Sequence, residues 1–304
     1  MLLGWMPALM IPNANLEHGG SSKFIVVDFD TSKRLILTEA EVDGKRGFFL
    51  FDTGASHLTL NQKHFPQKRA SASNYATSNI HAKQMRTMMT RVSKFQWGGI
   101  RRKKLDCPIT DLSALEDWLG YPLLGLIGFD IIRDYEVHLN HKKQTITLAS
   151  GKRRGTAEQI PPNYTLDFDL CGHLPVLEVN VGTRRKAYLG LDSGASANIL
   201  DDDWQEEVAE LALVRSEIAL AGASNGQKQA EKLIIEQITL ENQIALYHAR
   251  IILTDFDIPT GRCFQVDGLI GIDAFACKRV AIDYKKHKLR IWLDDGELFA
   301  VNCR

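Results

Sequence analysis

The chain repeats itself, and the repeat constrains its fold more than any other feature. Residues 123–150 read LLGLIGFDIIRDYEVHLNHKKQTITLAS, and residues 266–293 read VDGLIGIDAFACKRVAIDYKKHKLRIWL. At an offset of 143 and without a gap, they share Gly-Leu-Ile-Gly, the following Asp130/Asp273, Val137/Val280 and the Lys142/Lys285 turn. A second pair lies upstream, FFLFDTGASHLTL at 48–60 and YLGLDSGASANIL at 188–200, with Asp52 and Asp192 offset by 140. Both pairs occur in the same order, so the chain is two copies of one unit of about 130 residues.

That organisation divides the 304 residues into an N-terminal arm (1–21), a first lobe (22–149), a linker (150–163), a second lobe (164–297) and a tail (298–304). The linker SGKRRGTAEQIPPN is rich in charge, Gly and Pro and has no apolar periodicity. Each unit reads mainly as strands, including 36–42 and 176–181, with turns at Gly44 and Gly182 leading into the strands that end at the aspartates. Short helices are expected at 111–119, at 202–213 and just after each Gly-Leu-Ile-Gly, where Asp130 and Asp273 stand as N-caps.

Composition excludes several classes. With 37 basic and 37 acidic residues, the chain lacks the cationic excess of a nucleic-acid binder. Its basic runs at 101–104 and 152–154 read as solvated turns, and no nucleic-acid partner is expected. No stretch has the roughly 18 consecutive apolar residues of a membrane span. The apolar run 2–11 is as long as the core of an export signal but lacks a basic region before it. If residues 1–15 are the remnant of an export signal, the protein belongs in the periplasm or cell envelope, otherwise in the cytoplasm. Five cysteines without C-x-x-C pairs leave the redox compartment open, and a Cys263–Cys277 bridge stays one option. Trp97, Trp118, Trp204 and Trp292 fit packing roles. No metal or cofactor is expected.

The chemistry concentrates at Asp52 and Asp192. Each follows four apolar or small residues and precedes Gly and Ala, which places an ionisable group at a poorly solvated strand end. Two such carboxylates, one from each copy, can meet across a pseudo-two-fold axis. Like charges about 3 Å apart do not both ionise, so the pair shares one proton and titrates as a unit. Such a pair suits attack of water on an unactivated carbonyl, the ionised carboxylate acting as base and its protonated partner as acid. Thr53 and Ser193 supply hydroxyls able to lock the two loops together, and Gly54 and Gly194 leave room for close backbone approach.

Asp52-Thr53-Gly54-Ala55-Ser56 and Asp192-Ser193-Gly194-Ala195-Ser196, each followed downstream by Leu-Ile-Gly at 126–128 and 269–271, resemble the aspartic peptidases of the retropepsin and pepsin clan. The unit is most similar to bacterial retropepsin-like peptidases, over about residues 22–295. The resemblance implies a mainly β fold of two homologous barrel lobes related by a pseudo-two-fold axis, with few short helices. It also implies an aspartic endopeptidase with an extended peptide between the lobes. Both aspartates are in one chain, so a monomer suffices. The family's substrate flap maps to 218–230, with its tip at Gly222, Ala223, Ser224, Asn225 and Gly226, and to about 78–83 in the first lobe. Neither tip carries a tyrosine. Ala55 and Ala195 carry no hydroxyl to stabilise an ionised pair, which places the activity optimum in the weakly acidic to near-neutral range.

Two rival readings stand beside this one. Gly222-Ala223-Ser224-Asn225-Gly226 is a literal G-x-S-x-G, which in a serine hydrolase leads from a strand into a helix. Alternatively, the fold is kept as a peptide-binding module without cleavage. Retention of both aspartates and both glycines favours the enzyme.

Overall fold

The computed structural model describes residues 24–77, 85–151, 157–158, 160–182, 185–221, 227–256, 266–275 and 278–293. Each half of the chain closes into a six-stranded barrel. In the first, the ring runs Leu35–Val42, Lys45–Phe51, Leu123–Ile127, Thr59–Asn61, Ile100–Thr110 and Met85–Trp97. Pairs Glu41↔Gln96 and Val42↔Phe95 return it to its first strand. In the second, it runs Leu174–Val181, Lys186–Asp192, Gly268–Gly271, Asn198–Leu200, Ile244–Leu253 and Gln227–Leu240, closed by Val179↔Leu240 through Val181↔Ile238. Closure leaves these strands without a free edge.

The two copies bury the same positions. Leu35–Val42 and Leu174–Val181 both begin with four consecutive buried residues and then alternate. The uninterrupted start has a physical cause. Ile36, Ala40 and Val42 point into the barrel. Leu35 and Leu37 face outward onto a second cluster with Leu112 and with Leu115 and Leu119 from the helix Ser113–Leu119. A strand covered on both sides buries consecutive side chains instead of alternate ones. Inside the first barrel, Phe51 and Trp97 stack with centroids 5.9 Å apart, and Trp97 Nε1 donates to Thr38 Oγ1 at 3.0 Å, which satisfies its only polar atom.

A six-stranded antiparallel sheet joins the lobes in the order Ile25–Asp28, Thr145–Ala149, Glu136–Asn140, Arg279–Asp283, Lys288–Trp292 and Tyr164–Asp167. At its seam His138 faces Ala281, the residue that the repeat makes its own equivalent. The pseudo-two-fold axis therefore passes between them.

Several local expectations are corrected. The helix at 202–213 is a 3-10 turn, Asp202–Trp204, continued by Gln205–Leu211, and Ala212 already begins a strand. Asp130 does not cap its helix: Gly128 occupies that position, and Asp130 Oδ1 instead accepts from the Leu58 amide at 2.7 Å. The run 101–104 lies on the strand Ile100–Thr110, not in a turn. Trp97, Trp204 and Trp292 are buried, whereas Trp118 is 38% exposed. Cys107 is a buried free thiol and Cys171 is disulfide-bonded, while Cys263 and Cys277 lie outside the described residues. Among the described residues no helix is long and apolar enough to cross a membrane, and no cluster of acidic, His or Cys side chains is arranged to hold a metal.

Candidate active site

In each lobe the strand ending at the aspartate pairs in parallel with the Leu-Ile-Gly strand, through Phe51↔Ile127 and Asp192↔Gly271. The segment after the aspartate then loops back to pair with the other side of that same strand. The loop thus wraps the Leu-Ile-Gly segment, and its carbonyls crowd the closing glycine. A Cβ at Gly128 would lie 2.6 Å from Ala55 O, and one at Gly271 would lie 2.7 Å from Ala195 O. Only glycine fits there. The wrapped loops are further tied by Phe129 N to Ala55 O at 2.8 Å and Ile272 N to Ala195 O at 3.2 Å.

The two loops meet at the axis. Thr53 and Ser193 are fully buried and bonded reciprocally. The Thr53 amide donates to Ser193 Oγ at 3.0 Å and the Ser193 amide to Thr53 Oγ1 at 2.9 Å. Each hydroxyl passes its own proton to the opposite strand, Thr53 Oγ1 to Leu191 O at 3.1 Å and Ser193 Oγ to Phe51 O at 2.9 Å.

This clamp brings the carboxylates face to face. A Cβ at Gly54 would lie 2.6 Å from Asp192 Cγ, and one at Gly194 would lie 2.7 Å from Asp52 Cγ. Each carboxylate therefore packs on the other lobe's glycine, where no side chain has room. Gly54 N at 2.9 Å and Ala55 N at 3.0 Å donate to Asp52 Oδ1, and Gly194 N donates to Asp192 Oδ1 at 2.7 Å.

Both aspartates retain partial exposure on the side open to solvent, but dense protein surrounds them. Desolvation raises the proton affinity of Asp52 well above the usual carboxylate value, and the charge and hydrogen bond of Asp192 raise it further. Asp192 is raised by the same desolvation, against which its hydrogen bonds to the Gly194 amide and Asp52 act. The two titrate as a pair that retains a proton above the normal range.

Three residues around the pair carry no motif in the sequence. His173 reaches from the second lobe to the Gly54 carbonyl, with Nε2 at 2.7 Å. Its ring lies 6.1 Å from that of Phe129. Phe129 in turn packs edge-on to Tyr284 at 5.1 Å. Tyr284 is 4% exposed, its hydroxyl lacks a partner among the described residues, and burial together with both aspartates raises its proton affinity. The repeat offers no signal for His173, because its equivalent ahead of the first strand is the exposed Arg34.

Each lobe has a hairpin whose strands flank the expected flap tip. Ser71–Thr77 pairs with Met85–Trp97 up to Thr77↔Met85, and Ala212–Ala221 pairs with Gln227–Leu240 up to Ala221↔Gln227. The tips themselves, 78–84 and Gly222 to Gly226 with Ala223, Ser224 and Asn225, lie outside the described residues. The segment after Ser224 is a strand, whereas a nucleophilic serine elbow leads into a helix.

Residues 38–131, which include Asp52 and the first Leu-Ile-Gly, match the family model described as aspartyl protease. A search of curated proteins returned no match.

Proposed function

Starting from a chain of duplicated retropepsin-like fold whose first lobe matches the aspartyl proteases, we propose that it is an aspartic endopeptidase acting through Asp52 and Asp192. The observation that carries this reading is the reciprocal packing of each carboxylate on the opposite lobe's glycine, where burial raises the proton affinity of both acids.

The chemistry needs no covalent nucleophile. A water held between the carboxyls gives a proton to the ionised one as its oxygen attacks the scissile carbonyl carbon. The protonated partner gives its proton to the carbonyl oxygen, leaving a neutral tetrahedral diol and the pair again singly protonated. Collapse of the diol breaks the C–N bond. One diol hydroxyl loses its proton to the ionised carboxyl, the leaving nitrogen takes a proton from the other, and the starting state returns. Thr53 and Ser193 keep the loops in register, and Gly54 and Gly194 let the carboxyls approach.

The substrate on this reading is a peptide in extended form, lying between the pair and the hairpin arms and held by main-chain hydrogen bonds. Both aspartates belong to one chain, so the monomer has a complete pair. The raised proton affinity supports activity in the weakly acidic to near-neutral range.

The test is to assay Asp52→Asn and Asp192→Asn separately, with a mixed peptide library between about pH 3 and 8. A shared-proton mechanism requires both to be inactive while wild type cleaves. Cleavage surviving in either variant refutes the pair, and dependence on Ser224 instead would identify a serine hydrolase. Peptide binding without cleavage by wild type at any of these pH values would mark a binding module.

A further inference from the structure

The two catalytic loops have nearly the same sequence but different hydrogen bonds, and the difference coincides with one side chain. In the first lobe, the Ala55 amide reaches the Asp52 carboxylate, with Oδ1 at 3.0 Å. Both alanine amides also bond to the main-chain carbonyl of their aspartate at 3.3 Å, Ala55 N to Asp52 O and Ala195 N to Asp192 O, so the loops differ in that Ala55 alone reaches the carboxylate as well. The Gly54 carbonyl and the Ala55 N–H belong to the same peptide group, and His173 Nε2 lies 2.7 Å from that carbonyl. A carbonyl only accepts, so the ring proton must be on Nε2. The contacts therefore form a chain: His173 N–H to the Gly54 carbonyl, then the Ala55 N–H to Asp52 Oδ1. Hydrogen bonds in series through one peptide polarise it and strengthen each other.

We infer that His173 is a positioning residue for the reaction, acting from the second lobe through the Gly54–Ala55 peptide on the carboxylate of Asp52. The inference rests on the aspartic pair being catalytic. The loop at 171–174 reaches this point because Gly172, at φ +65°, turns the hairpin sharply before Leu174–Val181 begins. The surroundings favour the neutral ring. Burial disfavours the imidazolium most, His57 disfavours it further, and Asp192 and the Gly54 carbonyl oppose them without overcoming burial. Phe129 adds an uncharged face. Once acid does protonate the ring, its charge lies beside Asp192 and favours the ionised pair.

The test compares His173→Gln, which keeps an N–H donor, with His173→Ala and His173→Leu, which do not. His173→Gln is expected to hold kcat within about threefold of wild type, since one neutral donor replaces another. His173→Ala and His173→Leu should lose about tenfold or more in kcat with KM little changed, because the carboxylate is no longer held in place. In all three the acidic limb of the activity profile should move toward higher pH, since no imidazolium then protects the ionised pair from protonation. A wild-type kcat in His173→Ala, or equal damage in His173→Gln and His173→Ala, would overturn the proposal. Nitrogen-15 NMR of His173 in the wild-type protein checks it without relying on folding of a variant or on turnover. A proton on Nε2 is expected, and one on Nδ1 would overturn it. Failure of the underlying reading looks different: Asp52→Asn would retain cleavage, whatever the tautomer of His173.

Discussion

Thr53 and Ser193 hold each other across the pseudo-two-fold axis, each hydroxyl accepting from the other residue's amide and donating to the strand behind it. Both are fully buried, so no water replaces a lost partner. The clamp fixes the distance between two loops that come from different halves of the chain.

Replacing Thr53 by Val keeps the shape but orphans the Ser193 amide and the Leu191 carbonyl. Two unsatisfied buried groups should cost roughly 2–4 kcal/mol of stability. Thr53→Ser, which keeps the hydroxyl, should cost less than half as much. Urea unfolding of the two variants checks this, and equal loss in both would mean that the methyl group, not the hydrogen bonds, matters.

A methyl group at Gly54 or Gly194 falls on the opposite carboxylate, at 2.6 Å and 2.7 Å from its Cγ. Gly54→Ala and Gly194→Ala should therefore displace the acids and lower kcat by about a hundredfold or more, as misplacement by about 1 Å does. Peptide cleavage within a few-fold of wild type would show that the loops part without consequence.

The raised proton affinities of Asp52 and Asp192 also bear on stability. A carboxyl that holds its proton more tightly when folded binds more protons in the folded state once pH exceeds its unfolded value near 3.8. Stability then falls as pH rises from that value through the raised folded one. Asp52→Asn removes the repulsion and should be more stable than wild type at neutral pH while lacking activity. Melting curves taken from acid to neutral pH should converge at the acid end, and a variant less stable at every pH would contradict this.

Glu116 behaves in the opposite sense. Burial pushes its carboxyl up, but Lys63, His64 and the Leu123 amide together hold it down to about 2. It ties the helix Ser113–Leu119 to the strand leading into Leu-Ile-Gly. A depressed carboxylate contributes stability above its unfolded value of 4.5 that is lost as pH falls toward about 2. Glu116→Gln should cost about 1–2 kcal/mol near neutral pH, a figure reduced for solvent screening of Lys63. It should also flatten the acid side of the stability profile. Unfolding midpoints at a series of pH values measure both.

The sequence by itself determined everything that the duplication encodes twice. The strand leading to each aspartate, the wrapped Leu-Ile-Gly segment and the glycines facing the carboxylates are legible because each copy must make them from local residues in the same order. Two copies with one aspartate apiece meet at an axis. The tertiary structure alone decided what breaks that symmetry. Asp130 looked like a helix cap by position, yet bonds Leu58 because the loop it meets is folded over it from 72 residues away in sequence. His173 corresponds to an exposed arginine in the other copy and reaches Gly54 across 119 residues. Tyr284 lies close enough to both aspartates for them to alter its ionisation, though it sits in the turn after strand Arg279–Asp283 of the sheet that joins the lobes. Such contacts follow from where distant segments are brought together, and neither periodicity nor spacing along the chain carries that information. The repeat therefore fixes what the two halves share, while packing between the halves fixes how they differ.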